Sequence, residues 1–107
     1  MGNGDSVPKE VIDFPSDKTK VFNVRFEHCG SWGMEGVYKY ALDCIKTAYP
    51  KAIETRNYSP SRGQFQIFVK DKDGTEKEVY NKHAKDGSFS EKTAIVAVER
   101  IKKIVEG

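Results

Sequence analysis

The chain has 107 residues, enough for one compact domain with little left for a second. Its 18 lysines and arginines stand against 16 acidic residues, and a net charge of +2 spread along the chain argues against a nucleic-acid partner. No stretch approaches the length of a membrane span, no apolar targeting segment opens the chain, and two cysteines make no disulfide framework, so a reducing cytoplasm is the expected compartment.

Met1 to Lys18 is rich in Gly, Pro, Asp and Ser and has no hydrophobic period. It is expected to be a disordered tail, with Val11, Ile12 and Phe14 available to pack loosely on the domain. Met1-Gly2-Asn3-Gly4-Asp5-Ser6 fits the pattern for N-myristoylation of Gly2, and also the short Gly/Ser starts that arise for other reasons. One acyl chain without a basic patch anchors only marginally, so stable membrane insertion is not expected.

Residues 19–107 form the expected domain. Val21 to Phe26 alternates, placing Phe22, Val24 and Phe26 on one face of a first strand. His28-Cys29-Gly30-Ser31-Trp32-Gly33 follows as a turn, and a helix runs from Glu35 to Tyr49 on the stripe Val37, Ala41, Cys44, Ile45 and Ala48 until Pro50 stops it. Ala52 to Asn57 reads as a second strand, parallel to the first because a helix separates them. After the Ser59-Pro60-Ser61-Arg62-Gly63 loop, Gln64 to Lys70 alternates with Phe65, Ile67 and Val69 inward and Gln64, Gln66 and Phe68 outward. The Asp73-Gly74 signal turns the chain into an antiparallel fourth strand from Thr75 to Asn81. Asp86 to Ser90 is a further turn, and Ser90 caps a last helix with the stripe Ala94, Val98, Ile101 and Val105. The predicted fold is α+β, a thioredoxin-like β-α-β-β-β-α order giving a four-stranded mixed sheet with two helices on one face.

Cys29 then leaves the C-terminal end of a strand and precedes a helix, where open sheets bind ligands and where helix N–H groups favour a thiolate. The flanking Gly30 and Gly33 permit unusual dihedrals and close approach, and the site is expected to be open rather than deeply buried. Ser31 either donates to the sulfur or caps the helix. His28 is expected at the solvent surface rather than paired with Cys29. Cys44 lies on the apolar stripe and is assigned to the core. Neither C-x-x-C nor H-x-x-x-H spacing occurs, so no metal and no bound cofactor is expected. Trp32, Met34 and Phe89 are candidates for an exposed apolar rim near the thiol, while Tyr38, Tyr40 and Tyr58 are assigned to packing edges.

The succession Val24-Arg25-Phe26-Glu27-His28-Cys29-Gly30-Ser31-Trp32-Gly33, then Tyr49-Pro50, Pro60, Gly63-Gln64-Phe65-Gln66-Ile67 and Lys85-Asp86-Gly87, resembles the selenoprotein W (Rdx) family over Lys20 to Val105. The resemblance implies a thioredoxin-like domain handling thiol redox through a Cys-x-x-Sec or Cys-x-x-Cys pair, with glutathione as co-substrate and redox proteins or adaptors of the 14-3-3 class as partners, and a monomer is expected. Cys29 matches the family's cysteine; Trp32 stands where selenocysteine or the second cysteine belongs. An indole forms no disulfide, so two-residue exchange is unavailable in this chain. Three explanations stay open: a single-thiol domain, a loss of redox function, or a tryptophan standing for a UGA-encoded selenocysteine. The same layout brings Pro60 and Arg62 beside Cys29, with Arg62 either holding a glutathione carboxylate or remaining a solvated charge. The expected function is glutathione-linked redox chemistry at Cys29. The alternative is a non-catalytic interaction module using the Trp32/Met34/Phe89 rim.

Overall fold

A computed structural model describes residues 13–30, 33–71 and 73–107. The elements are β1 (Asn23–His28), α1 (Met34–Ala48), β2 (Ile53–Tyr58), β3 (Phe65–Lys70), β4 (Glu76–Asn81), one π-helical turn (Lys82–Asp86) and α2 (Glu91–Val105). The spatial strand order is β2-β1-β3-β4. The α1 crossover makes β1 and β2 parallel, with Val24 opposite Glu54 and His28 opposite Tyr58. β3 runs antiparallel to β1, and β4 antiparallel to β3 through the Asp71–Gly74 turn, where Gly74 takes φ +84°. This is the α+β, thioredoxin-like arrangement that the alternating and helical patterns imply.

Both helices cover one face. Met34, Tyr38, Ala41 and Ile45 of α1 share a core with Ala97, Val98 and Ile101 of α2 and with Val24, Phe26, Ile67 and Val69 of the sheet. Each fully buried aliphatic of that set contributes about 1.5–3 kcal/mol through removal from water. Arg25, Glu27, Gln66 and Phe68 on the opposite face stay half-exposed, and the Arg25 guanidinium lies 4.2 Å from the Phe68 ring centroid. A bulge between Ile67 and Phe68 of the β3–β4 ladder lets the consecutive Val79 and Tyr80 both turn inward.

Two boundaries move for physical reasons. β1 runs two residues later than its alternation predicts, because His28 still pairs with Tyr58 on one side and Phe65 on the other. Residues 13–18 of the predicted tail are tied down: the Ser16 hydroxyl donates to Ala48 O at 2.6 Å, Asp17 N–H to Glu106 Oε2 at 2.9 Å, and the Lys102 ammonium to Pro15 O at 2.9 Å. Phe14 packs on the core there. The Gly2 acylation pattern lies outside the described residues. Among the described residues no helix is long and apolar enough to cross a membrane.

The link from β4 to α2 is braced by polar contacts. Gly87 N–H donates to Lys82 O at 3.1 Å, the i→i+5 bond of a π turn. Asp86 accepts Asn81 N–H at 2.8 Å and Arg100 Nη1 at 3.0 Å, while Arg100 also donates to Val79 O at 2.9 Å. α2 then starts at Ser90, whose N–H donates to the Thr93 hydroxyl at 2.7 Å, the reciprocal half of a capping box.

Candidate functional site

Cys29 is held by the backbone at the C-terminal end of β1. Its N–H donates to Gln64 O at 2.9 Å, and His28 O accepts Ser59 N–H at 2.8 Å, so the ladders on both sides run one step past the strand. The same bonds bring the 59–64 loop, with exposed Pro60 and Arg62, beside the Cys29 turn, as the layout predicts. α1 opens at Gly33, in the left-handed region at φ +73° and without a side-chain cap. Ser31 and Trp32 lie outside the described residues.

Burial overturns the expectation of an open thiol. Cys29 is 6% exposed and belongs to the main core cluster. Gly30 lies against the Tyr58 ring: a Cβ there would sit 3.5 Å from Tyr58 Cδ1. Cys44 is buried separately, in a cluster with Tyr40 and Ala94. Burial, then Cys44, raises the Tyr40 phenol above its ordinary pKa.

His28 is buried rather than solvent-facing, at 1% exposure. Strand alternation already puts it on the face of Val24 and Phe26, so the extended β1 carries it into the core. It stacks on Tyr38 at 5.4 Å between centroids and meets Tyr58 edge-on at 5.6 Å. His28 Nδ1 lies 2.8 Å from Cys29 O. A carbonyl only accepts, so Nδ1 donates in this bond. His28 Nε2 is buried with no hydrogen-bond partner among the described residues.

Tyr38 is itself fixed by β2. Its hydroxyl donates to Glu54, and the Arg56 guanidinium lies 4.3 Å from its ring centroid while pairing with Glu35 at 2.9 Å. Arg56 accordingly holds the Glu35 carboxyl below its ordinary pKa.

Of the predicted apolar rim, Met34 and Phe89 turn inward, and Trp32 lies outside the described residues. Met34 is 8% exposed, and half-buried Phe89 spends its ring on Tyr80, Phe65 and Tyr40 at 5.0–6.0 Å. The large apolar side chain exposed beside the turn is Tyr58 instead, at 64%. Its assignment to a packing edge describes only the face it turns to His28.

Gln64, predicted to face out, is 8% exposed. Its Oε1 accepts Phe65 N–H at 2.8 Å and His83 N–H at 3.2 Å, and its Nε2 donates to Asn81 Oδ1 at 3.2 Å. One amide therefore staples the loop beside Cys29 to the π turn. The Ser61 hydroxyl lies 3.3 Å from His83 Nδ1 across the same junction. His83 and Lys82 were not legible as site residues, because single side-chain contacts from Gln64 and Ser61 bring the π turn to the loop.

Among the described residues no three His, Cys, Asp or Glu side chains converge as metal ligands. An open groove of about 840 Å³ lies away from these residues, between Phe14 and Pro15 and the C-terminal half of α2. Compared with protein-family models and with curated proteins, the chain matches none.

Proposed function

We propose that this chain is a thiol-exchange protein of the selenoprotein W kind, acting through Cys29 in the cytoplasm as a single-cysteine redox module. The observation that carries the reading is the position of Cys29, one residue past the central strand β1 and ahead of α1, in a thioredoxin-like order. The sequence likeness around Cys29, Trp32, Pro60 and Lys85-Asp86-Gly87 supports it.

The chemistry needs no second protein thiol. The Cys29 thiolate attacks one sulfur of glutathione disulfide, forming a Cys29–glutathione disulfide and releasing glutathione thiolate, which takes up a proton. A second glutathione thiolate then attacks the glutathionyl sulfur, regenerates the Cys29 thiolate and leaves glutathione disulfide. A protein–glutathione mixed disulfide, attacked at its glutathionyl sulfur in place of the first oxidant, releases the protein thiolate and gives net deglutathionylation by the same two steps. His28 keeps the Cys29 carbonyl in place, and exposed Arg62 on the 59–64 loop supplies a charge for a glutathione carboxylate in this reading. Because the sulfur is 6% exposed, attack requires local opening around it.

Incubation of the native chain with glutathione disulfide, followed by peptide mapping, tests this. One adduct at Cys29, removed by added thiol and lost in Cys29→Ser, is expected. An adduct at Cys44 alone, or none, contradicts it. The gene codon for position 32 decides between the explanations of Trp32: UGA with a downstream selenocysteine-insertion element restores a two-residue pair.

The interaction-module reading keeps one observation in its favour, the burial of Cys29, but loses its rim at Met34 and Phe89. A Cys29→Ser variant with unchanged cellular phenotype would favour it.

A further inference from the structure

We infer that the end of the sheet beside Cys29 is a docking surface for an acidic peptide segment, built on Arg62, Lys82, His83 and Lys85. The inference rests on the redox reading for why a partner comes to Cys29, not for the binding itself.

Charge is segregated there. Residues 59–64 and 82–85 contain Arg62, Lys82, His83 and Lys85 and no acidic residue, in a chain whose net charge is only +2. Several cations elsewhere are answered locally, Arg25 by Glu27 and Glu76, Arg56 by Glu35, Lys77 by Asp71, Arg100 by Asp86 and Lys102 by Glu106, while others such as Lys39, Lys51 and Lys103 form no ion pair among the described residues, so what sets this stretch apart is its lack of acidic residues. Among the described residues Arg62, Lys82 and Lys85 form no ion pair. Asp86, next in sequence, is already taken by Arg100 and Asn81 N–H.

Lys82 and His83 also come together at the loop: a Cβ on Gly63 would lie 3.7 Å from His83 Nε2 and 3.8 Å from Lys82 Nζ, so both nitrogens flank the point a side chain there would fill, and a carboxylate just outside the loop reaches both. Gly63 takes φ +71°, which keeps a side chain out of that point. The next residue, Gln64, holds Cys29 N–H through its carbonyl and the π turn through its amide, so the subsite and the thiol share one rigid junction. On the other flank, Tyr58 offers an exposed ring over Gly30. The patch is short: Glu78, bonded to Asn81 and Gln66, borders it on the open sheet face and repels an extended polyanion such as a nucleic acid. A few carboxylates beside a reactive sulfur fit it.

Amide chemical shifts of the full-length ¹⁵N-labelled chain are followed during titration with hexaglutamate, hexalysine and a single-stranded oligonucleotide. Hexaglutamate alone is expected to shift the amides of Arg62, Gly63, His83 and Ala84, and 1 M salt, with a screening length of about 3 Å, to abolish it. Arg62→Ala and Lys82→Gln should each weaken binding about twofold to fivefold, with circular dichroism unchanged. Equal binding of the oligonucleotide, shifts centred on other lysines, or indifference to both variants overturns the inference. Hexaglutamate binding by the native chain, when that native chain forms no glutathione adduct at Cys29, leaves the surface standing and removes the redox reading. Adduct formation without peptide binding does the reverse.

Discussion

His28 and Cys29 are neighbours held by different means. The imidazole is a packed core ring whose Nδ1–H ties down the Cys29 carbonyl, and it makes stacking and edge contacts with Tyr38 and Tyr58. His28→Ala leaves a cavity among aromatic rings and takes the donor from a buried carbonyl, so a loss of about 2–4 kcal/mol is expected in urea unfolding. A loss below about 0.5 kcal/mol would mean that the ring contributes nothing to the turn. The residue types around the thiol were legible in the sequence, and so was the face of His28 from strand parity. The burial of Cys29 was not, because polar His28 before it and Gly30 and Gly33 after it suggest openness while the Tyr58 ring, set by the β1–β2 register, lies against Gly30.

At the scale of elements, hydrophobic period and turn chemistry located every strand and both helices to within about two residues, the usual uncertainty of an element's end. The π turn was hidden because its sequence, Lys82-His83-Ala84-Lys85-Asp86, has no apolar period; it is made by the Asp86 and Asn81 side chains. Asp86→Ala removes acceptors from Asn81 N–H and Arg100 at once and should cost about 2 kcal/mol. Because the link from β4 to α2 then keeps the Arg100–Val79 O bond but loses its Asp86 brace, hydrogen exchange should speed up most in residues 81–91. Uniform acceleration over the whole chain would show that the brace is not local. The Gln64 staple predicts a second local effect: Gln64→Ala should loosen the loop beside Cys29 and raise thiol alkylation several-fold, while an unchanged rate would separate the loop from the thiol.

Over the whole molecule, ion pairs and the docked 13–18 segment set the acid limit. Glu76 is held below its ordinary pKa by Arg25, Glu35 by Arg56, and Glu106 first by Asp17 N–H and then by Tyr49 and Lys102. A carboxylate whose pKa is lower in the folded state stabilises fully above its unfolded value and loses that stabilisation as pH falls through the folded one. Unfolding free energy is therefore expected to fall as pH drops below about 4.5, and Glu76→Gln should flatten part of that fall. An unchanged profile in the variant would contradict the Arg25 pairing. The chain's path and layers were open to reading from pattern alone; the docking of residues 13–18 was not, since it depends on single contacts to Ala48 O and Glu106. The claim on which function turns is that Cys29 is reached by local opening while Cys44 is reached only by global unfolding. Alkylation of each cysteine, followed by mass spectrometry across sub-denaturing urea, measures this directly. The account predicts a Cys29 rate nearly independent of urea and a Cys44 rate that rises with the slope of global unfolding; two rates with the same steep slope would contradict it.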